Sequence, residues 1–136
     1  MMSLLNPTPG EVLDRLTILD LKIEAAERVQ KQELVIHWKA EKVSLEERLV
    51  VFGKMMSTQT GEIKEKIDLH INSLVALNSL LWRAEDNIRE LPETAVFRLA
   101  SLCKKVASWN DGRNRNIQDL NKLYGFDQEE KIYKNE

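Results

Sequence analysis

Three polar clusters carry the residue types with which a small protein could do chemistry. The first is Glu11, Asp14, Thr17 and Lys22, near the start of the chain. Glu11 and Asp14 lie one helical turn apart and share a face. The second is Asn78, Trp82, Glu85, Asp86 and Arg89, in which Asn78, Trp82, Glu85 and Arg89 step 4-3-4 and form one stripe. Glu85 and Arg89 stand in the favourable order for an i,i+4 ion pair. The third is Asn110, Asp111, Arg113, Asn114 and Arg115. Asn110 and Arg113 occupy positions that periodicity assigns to the interior, and a buried arginine needs a carboxylate partner or an open cavity. With Asp20, Lys22 and His70 at a similar height, these two residues compose a polar layer. Such a layer serves as a register-fixing network or as the lining of an anion pocket.

Complete catalytic sets are not found. There is no H-E-x-x-H, no C-x-x-C and no glycine-rich phosphate loop. His37 and His70 are the only histidines and Cys103 the only cysteine, too few for a zinc site without carboxylates. His70 and Cys103 both fall on an apolar seam, where a satisfied core histidine and a small buried thiol are expected. No catalytic residue, metal ligand or cofactor is assigned from the sequence.

Periodicity supplies the elements that position these clusters. Thr8, Pro9 and Glu11 form a T-x-x-E capping box with proline in the first helical position. Val12, Leu16, Leu19, Ile23 and Ala26 then step 4-3-4-3. A second stripe uses Leu34, Trp38, Leu45, Leu49 and Phe52. Gly53 and Gly61 bracket a polar loop. Ile63, Ile67, His70, Leu74, Leu77, Leu81, Ala84, Ile88 and Leu91 form an unbroken 4-3 seam that Pro92 ends. Val96, Leu99, Cys103, Val106, Asn110, Arg113, Ile117, Leu120 and Tyr124 form another, with Gly125 as its stop. The expected fold is all-α, an antiparallel bundle of three long helices in a single domain over 1–136. A first helix unbroken from Pro9 to Phe52 would span roughly 66 Å against roughly 45 Å for each of the others. Its overhang must pack on a second subunit, or the helix must fold back near 29–32. The fold-back, giving four segments, is the expectation, although no Gly or Pro marks the bend.

Composition narrows the functional classes. The 136 residues are 43% hydrophobic and 31% charged, with five glycines and three prolines, too few turn residues for a β-sandwich. The longest apolar run is four residues, so no membrane insertion is expected. A lone cysteine and the lack of a signal-like start fit a cytoplasmic protein. The net charge of −2 exerts no general pull on nucleic acid. Locally, Arg98, Lys104, Lys105, Arg113, Arg115 and Lys122 outnumber Asp111 and Asp119, yet two of these cations sit at or beside the buried stripe.

Read in order, these clusters resemble an uncharacterised family of small bacterial helical proteins. The matching stretches are G-E-V-L-D-R-L-T-I-L-D-L-K-I-E from Gly10 to Glu24, L-N-S-L-L-W-R-A-E-D-N-I-R from Leu77 to Arg89, W-N-D-G-R-N-R-N-I-Q-D-L-N from Trp109 to Asn121 and E-E-K-I-Y from Glu129 to Tyr133. Arg15 replaces the family's usual lysine, and Asn116 or Gln118 stands where a basic residue is usual. The resemblance implies a bacterial cytoplasmic role accessory to surface-polysaccharide or glycosyltransferase functions. It also implies that Glu11, Asp14, Lys22, Asn78, Trp82, Glu85, Arg89, Asn110, Asp111, Arg113, Glu130, Lys131 and Tyr133 matter, for folding or for binding.

The leading functional expectation is a non-catalytic helical module that self-associates, as a dimer, or docks on a partner protein. The alternatives are an all-α enzyme or a small anion-binding bundle. Helical nucleotide pyrophosphohydrolases hold magnesium with E-x-x-E followed by E-x-x-D. Glu24–Glu27, Glu62–Glu65 and Glu65–Asp68 imitate those pieces, at a spacing those enzymes do not use. Leu13-Asp14 to Leu19-Asp20 is similar to the start of helical chorismate mutases, without their leading arginine.

Overall fold

A computed structural model describes residues 6–56 and 59–126. It contains four helices: α1 (Pro9–Arg28), α2 (Gln32–Met55), α3 (Gly61–Glu90) and α4 (Val96–Leu123). There are no strands among the described residues, and the chain runs up, down, up, down. The expected fold-back is present, and α1 and α2 are separate helices. The capping box also forms. Glu11 N–H donates to Thr8 Oγ1 at 3.3 Å, and Thr8 N–H donates to Glu11 Oε1 at 3.0 Å.

The reversal between α1 and α2 uses neither Gly nor Pro. Gln30 takes the left-handed conformation, φ 57°. Its N–H donates to Glu27 O at 3.2 Å, and Lys31 N–H donates to Ala26 O at 3.0 Å. This is the paired closure that usually employs glycine. Gly125 does the same job after α4 with φ 84°, its N–H donating to Lys122 O at 3.0 Å. At the other turns the helices depart from the expected limits. α2 continues through Gly53 to Met55, and α4 begins at Val96, after a turn in which Ala95 N–H donates to Pro92 O at 2.9 Å.

α1 is the central helix. It packs on α2, α3 and α4, while the backbone of α2 approaches α1 alone. Leu13 joins Ile67, Leu74 and Leu120 in one buried cluster. Val12 and Leu19 join Leu45 in a second, and Ile23 and Ala26 join Val35 in a third. Leu16 and Leu49 border the first two clusters, and Trp38 the last two. The α1 stripe and the interior of α3 follow the expected spacing. Three expectations need correction: Val35 rather than Leu34 is buried on α2, Val96 lies outside the packing at the start of α4, and Cys103 is exposed. In each case the adjacent residue, Val35, Ala95 or Leu102, is the less exposed one, so the inward face is rotated by one position from the expected seam.

Gly10 sets how closely α1 and α4 cross. A Cβ there would lie 2.3 Å from the Ile117 carbonyl oxygen, which is backbone and cannot swing aside. The open Gly10 N–H, one of the four that a helix start leaves unpaired, donates to Asn121 Oδ1 at 2.7 Å. Gly112 is packed on Leu77 of α3, with only 3.3 Å between its would-be Cβ and Leu77 Cδ1. The glycine that weakens α4 locally is thus where α3 lies against it.

Two opposite outcomes are expected from chemical denaturation. Gln30→Gly removes the left-handed strain and raises stability by about 1 kcal/mol. Gly10→Ala forces α1 off α4 and lowers it by about 3 kcal/mol.

Candidate functional site

The first and third sequence clusters meet in one place. Asp14 of α1 is buried between α3 and α4. Arg113 of α4 grips it side-on, Nε donating to Oδ1 at 2.8 Å and Nη2 to Oδ2 at 2.6 Å. From α3, buried Asn78 donates through Nδ2 to Asp14 Oδ1 at 2.9 Å and to Thr17 Oγ1 at 2.6 Å. The Thr17 hydroxyl in turn donates a hydrogen bond to the Asp14 backbone carbonyl at 2.7 Å. Three helices therefore converge on one carboxylate. The hydrogen bond from Asp14 raises the Arg113 pKa above its ordinary value, outweighing the opposing effect of burial.

A second polar contact joins α3 to α4 directly. His70 Nδ1 lies 2.8 Å from Asn116 Oδ1, and Asn116 Nδ2 donates to Ser73 Oγ at 3.0 Å and to Gly112 O at 2.9 Å. Asn116 is one of the two positions, with Gln118, at which the sequence resemblance leads one to expect a basic residue. The amide serves as both acceptor and donor here, which a lysine could not do.

Several candidates lie elsewhere. Asp20 is exposed and pairs with Lys42 of α2 at 2.8 Å, which raises the Lys42 pKa. Lys22 sits over the Trp38 ring, 5.4 Å from its centroid. Neither belongs to the layer around Arg113, because both face α2 rather than α3 and α4. Arg89 pairs with the neighbouring Asp86, and Glu85 is exposed. Trp82 and Asn110 are half-buried and Asp111 is exposed. Glu11 is spent on the cap of α1. Glu130, Lys131 and Tyr133 lie outside the described residues.

Sequence reasoning missed the ion pair that anchors α2. Arg15 donates from Nε to Glu41 Oε2 at 2.7 Å and from Nη2 to Oε1 at 3.0 Å. The Arg15 hydrogen bond holds the Glu41 carboxyl below its usual 4.5, against a smaller opposing push from burial. The sequence marks position 15 as basic and names no partner for it. Nothing in either spacing ties Arg15 to Glu41 across the turn.

Chemically, the Asp14 site is closed. Both carboxylate oxygens are occupied, the guanidinium spends its fork on them, and no buried side-chain polar atom among the described residues lacks a partner. Among those residues no three of His, Cys, Asp or Glu gather closely enough to hold a metal ion. No helix among the described residues is long and apolar enough to cross a membrane. Open surface grooves among the described residues include the following two. One, about 720 Å³, lies at the tip of the α3–α4 hairpin between Leu91, Phe97, Arg98 and Leu102. The other, about 680 Å³, lies between Pro7, Arg48, Phe52 and Phe126. Comparison with known proteins adds no counterpart: no family model, curated protein or solved structure matches the chain.

Removing Asp14 leaves a cation facing a dry interface, so Asp14→Ala is expected to cost about 3 kcal/mol in a urea melt. The double change Asp14→Leu with Arg113→Met removes both charges together and returns to within about 1 kcal/mol of the parent. For Glu41 the lowered folded value means that its stabilisation is complete above 4.5 and is lost as pH falls through that lowered value. Since the pair is half-exposed, the loss stays under about 1 kcal/mol. Glu41→Gln should flatten that part of the acid-side decline.

Proposed function

We propose that this chain is a non-catalytic helical module that self-associates or docks on a partner protein. The observation that carries the reading is a contrast between inside and outside. The buried ionic groups are fully paired, whereas large aliphatic and aromatic side chains stand exposed in rows. Ile36 is 67% exposed, Val43 54%, Val50 58% and Phe97 92%. A catalytic centre needs a free acid, base or nucleophile, and the Asp14–Arg113–Asn78 cluster has spent its groups on one another. The acidic pairs Glu24–Glu27 and Glu62–Glu65 lie on different helices, α1 and α3. Among the described residues no three acids gather closely enough to hold a metal ion, which favours the module over a magnesium-dependent hydrolase.

The resemblance to a bacterial helical family supports the same reading and extends it. On that basis the module works in the bacterial cytoplasm, accessory to surface-polysaccharide biosynthesis. Nucleic acid is not the partner proposed, and Arg113, one of the cations of the basic α4 segment, is committed to Asp14.

Sedimentation of the full chain at rising concentration, with parallel turnover assays, tests this reading. The expected result is a mass climbing from 15.8 kDa, with flat phosphate release from magnesium and nucleoside triphosphates and no conversion of chorismate. Turnover that disappears with Asp14→Asn would overturn it.

A further inference from the structure

The outer face of α2 carries a second seam that the bundle does not use. α1 covers the side of α2 that holds Val35, Trp38, Leu45 and Leu49. Ile36, Val43 and Val50 recur every seven residues, and a helix drifts only about 20° over that interval. They therefore form one straight stripe, on the side of α2 away from α1. All three are more than half exposed, and neither α3 nor α4 approaches the backbone of this helix. Ala40, also exposed, lies beside the stripe and leaves room for close approach.

Four of the charges flanking the stripe are arranged antisymmetrically about Val43. Lys39 lies four residues before it, and Glu46 lies three after. Further out, Glu33 lies ten residues before it and Lys54 eleven after. A two-fold axis through Val43 brings together positions on the same flank whose distances from Val43 agree to within about one residue, or about 1.5 Å of rise. Lys39 then faces Glu46 of the second copy on one flank, and Glu33 faces Lys54 of the second copy on the other. Symmetry repeats each pair. Ile36 meets Val50, and Val43 meets itself. All four charged side chains are exposed. Within one chain Lys39 makes only a loose pairing with Glu27, at 3.7 Å, with both side chains more than half exposed. A parallel, in-register pair would instead set like residues side by side and bring Lys39 beside Lys39 and Glu46 beside Glu46.

We infer that α2 is the self-association surface of this protein, and that its occupant is α2 of a second copy, antiparallel and centred on Val43. This rests on the reading of the chain as an association module and names which surface associates and with what. The contact is isologous, so it closes as a dimer and leaves no edge from which to grow. It adds a helix on the exposed side of α2, which α1 alone holds in the single chain.

Sedimentation equilibrium on the full chain, combined with cysteine crosslinking, tests it. Val43→Glu places two carboxylates on the axis and should raise the dimer dissociation constant at least tenfold, with an unchanged melting curve for the dilute protein because the site is exposed. Lys39→Glu should weaken the dimer, and Lys39→Glu with Glu46→Lys should restore it. In a Cys103→Ser background, Val43→Cys should crosslink on oxidation and Ile36→Cys should not, since its two copies lie at opposite ends of the contact. A dimer that ignores Val43→Glu, or that crosslinks through Ile36→Cys alone, overturns the α2 assignment and leaves self-association standing. A chain that stays monomeric at every concentration overturns the inference and removes the self-association half of the functional reading, leaving only docking on a different protein.

Discussion

Everything in this bundle is oriented by one buried carboxylate. Taking Asp14 out of water carries a desolvation penalty of several kcal/mol unless its oxygens are filled. Only one rotation and one height of α1 bring them to Arg113 and Asn78 together. Apolar contacts tolerate a helix sliding by a turn or rolling by tens of degrees, since leucine against leucine is nearly as good in several places. A bidentate clamp does not. The Asp14 tie therefore fixes how α1 enters the groove between α3 and α4. Gly10 fixes the same geometry one turn earlier, by letting the two backbones come close enough for Asn121 to take up an unpaired amide.

The attachment of α2 is of a different kind. It meets α1 through Val35, Leu45 and their half-buried neighbours, and through three ion pairs, Arg15–Glu41, Asp20–Lys42 and Glu27–Lys39. All three involve exposed or half-exposed side chains, so each contributes little, and salt weakens it. A long helix held on one side by modest contacts is the element of lowest local stability in such a fold. Its free side is also the most apolar exposed helix face, carrying Ile36, Val43, Val50, Val51 and Met55. One surface feature thus bears on both stability and association, because anything that covers the outer stripe also holds α2 in place.

Sequence reading recovered the helices, their order and the α1 seam because those follow from spacing alone. It placed Arg113 in the interior, where an arginine needs a carboxylate partner or an open cavity. It grouped Arg113 with Asp20, Lys22, His70 and Asn110 in one layer, whereas the structure pairs it with Asp14. Both acids sit on α1, and one-dimensional periodicity does not say which face of α1 turns to α4 and which to α2. That choice is made by Gly10, whose role is visible only when two backbones approach. For the same reason Arg15 and Glu41, on two helices joined by an unmarked turn, carried no joint signal. Cys103 failed differently. The half-buried position at that height is its neighbour Leu102, so Cys103 itself is exposed.

The two helix ends closed by a left-handed residue separate local signal from tertiary demand. After α4 the closure falls on Gly125, where the sequence announces it and where the backbone adopts φ 84° at no steric cost. After α1 the same hydrogen-bonding pattern falls on Gln30, whose Cβ makes that conformation unfavourable by roughly 1 kcal/mol or more. Nothing nearby in the sequence asks the chain to turn there. What holds the turn is the packing on either side of it, Ile23 and Ala26 against Val35 and Trp38. An unbroken helix would separate those residues and leave the α1 stripe wet beyond the ends of α3 and α4. Burial of that stripe outweighs one strained residue, and so the bend exists without a bend signal.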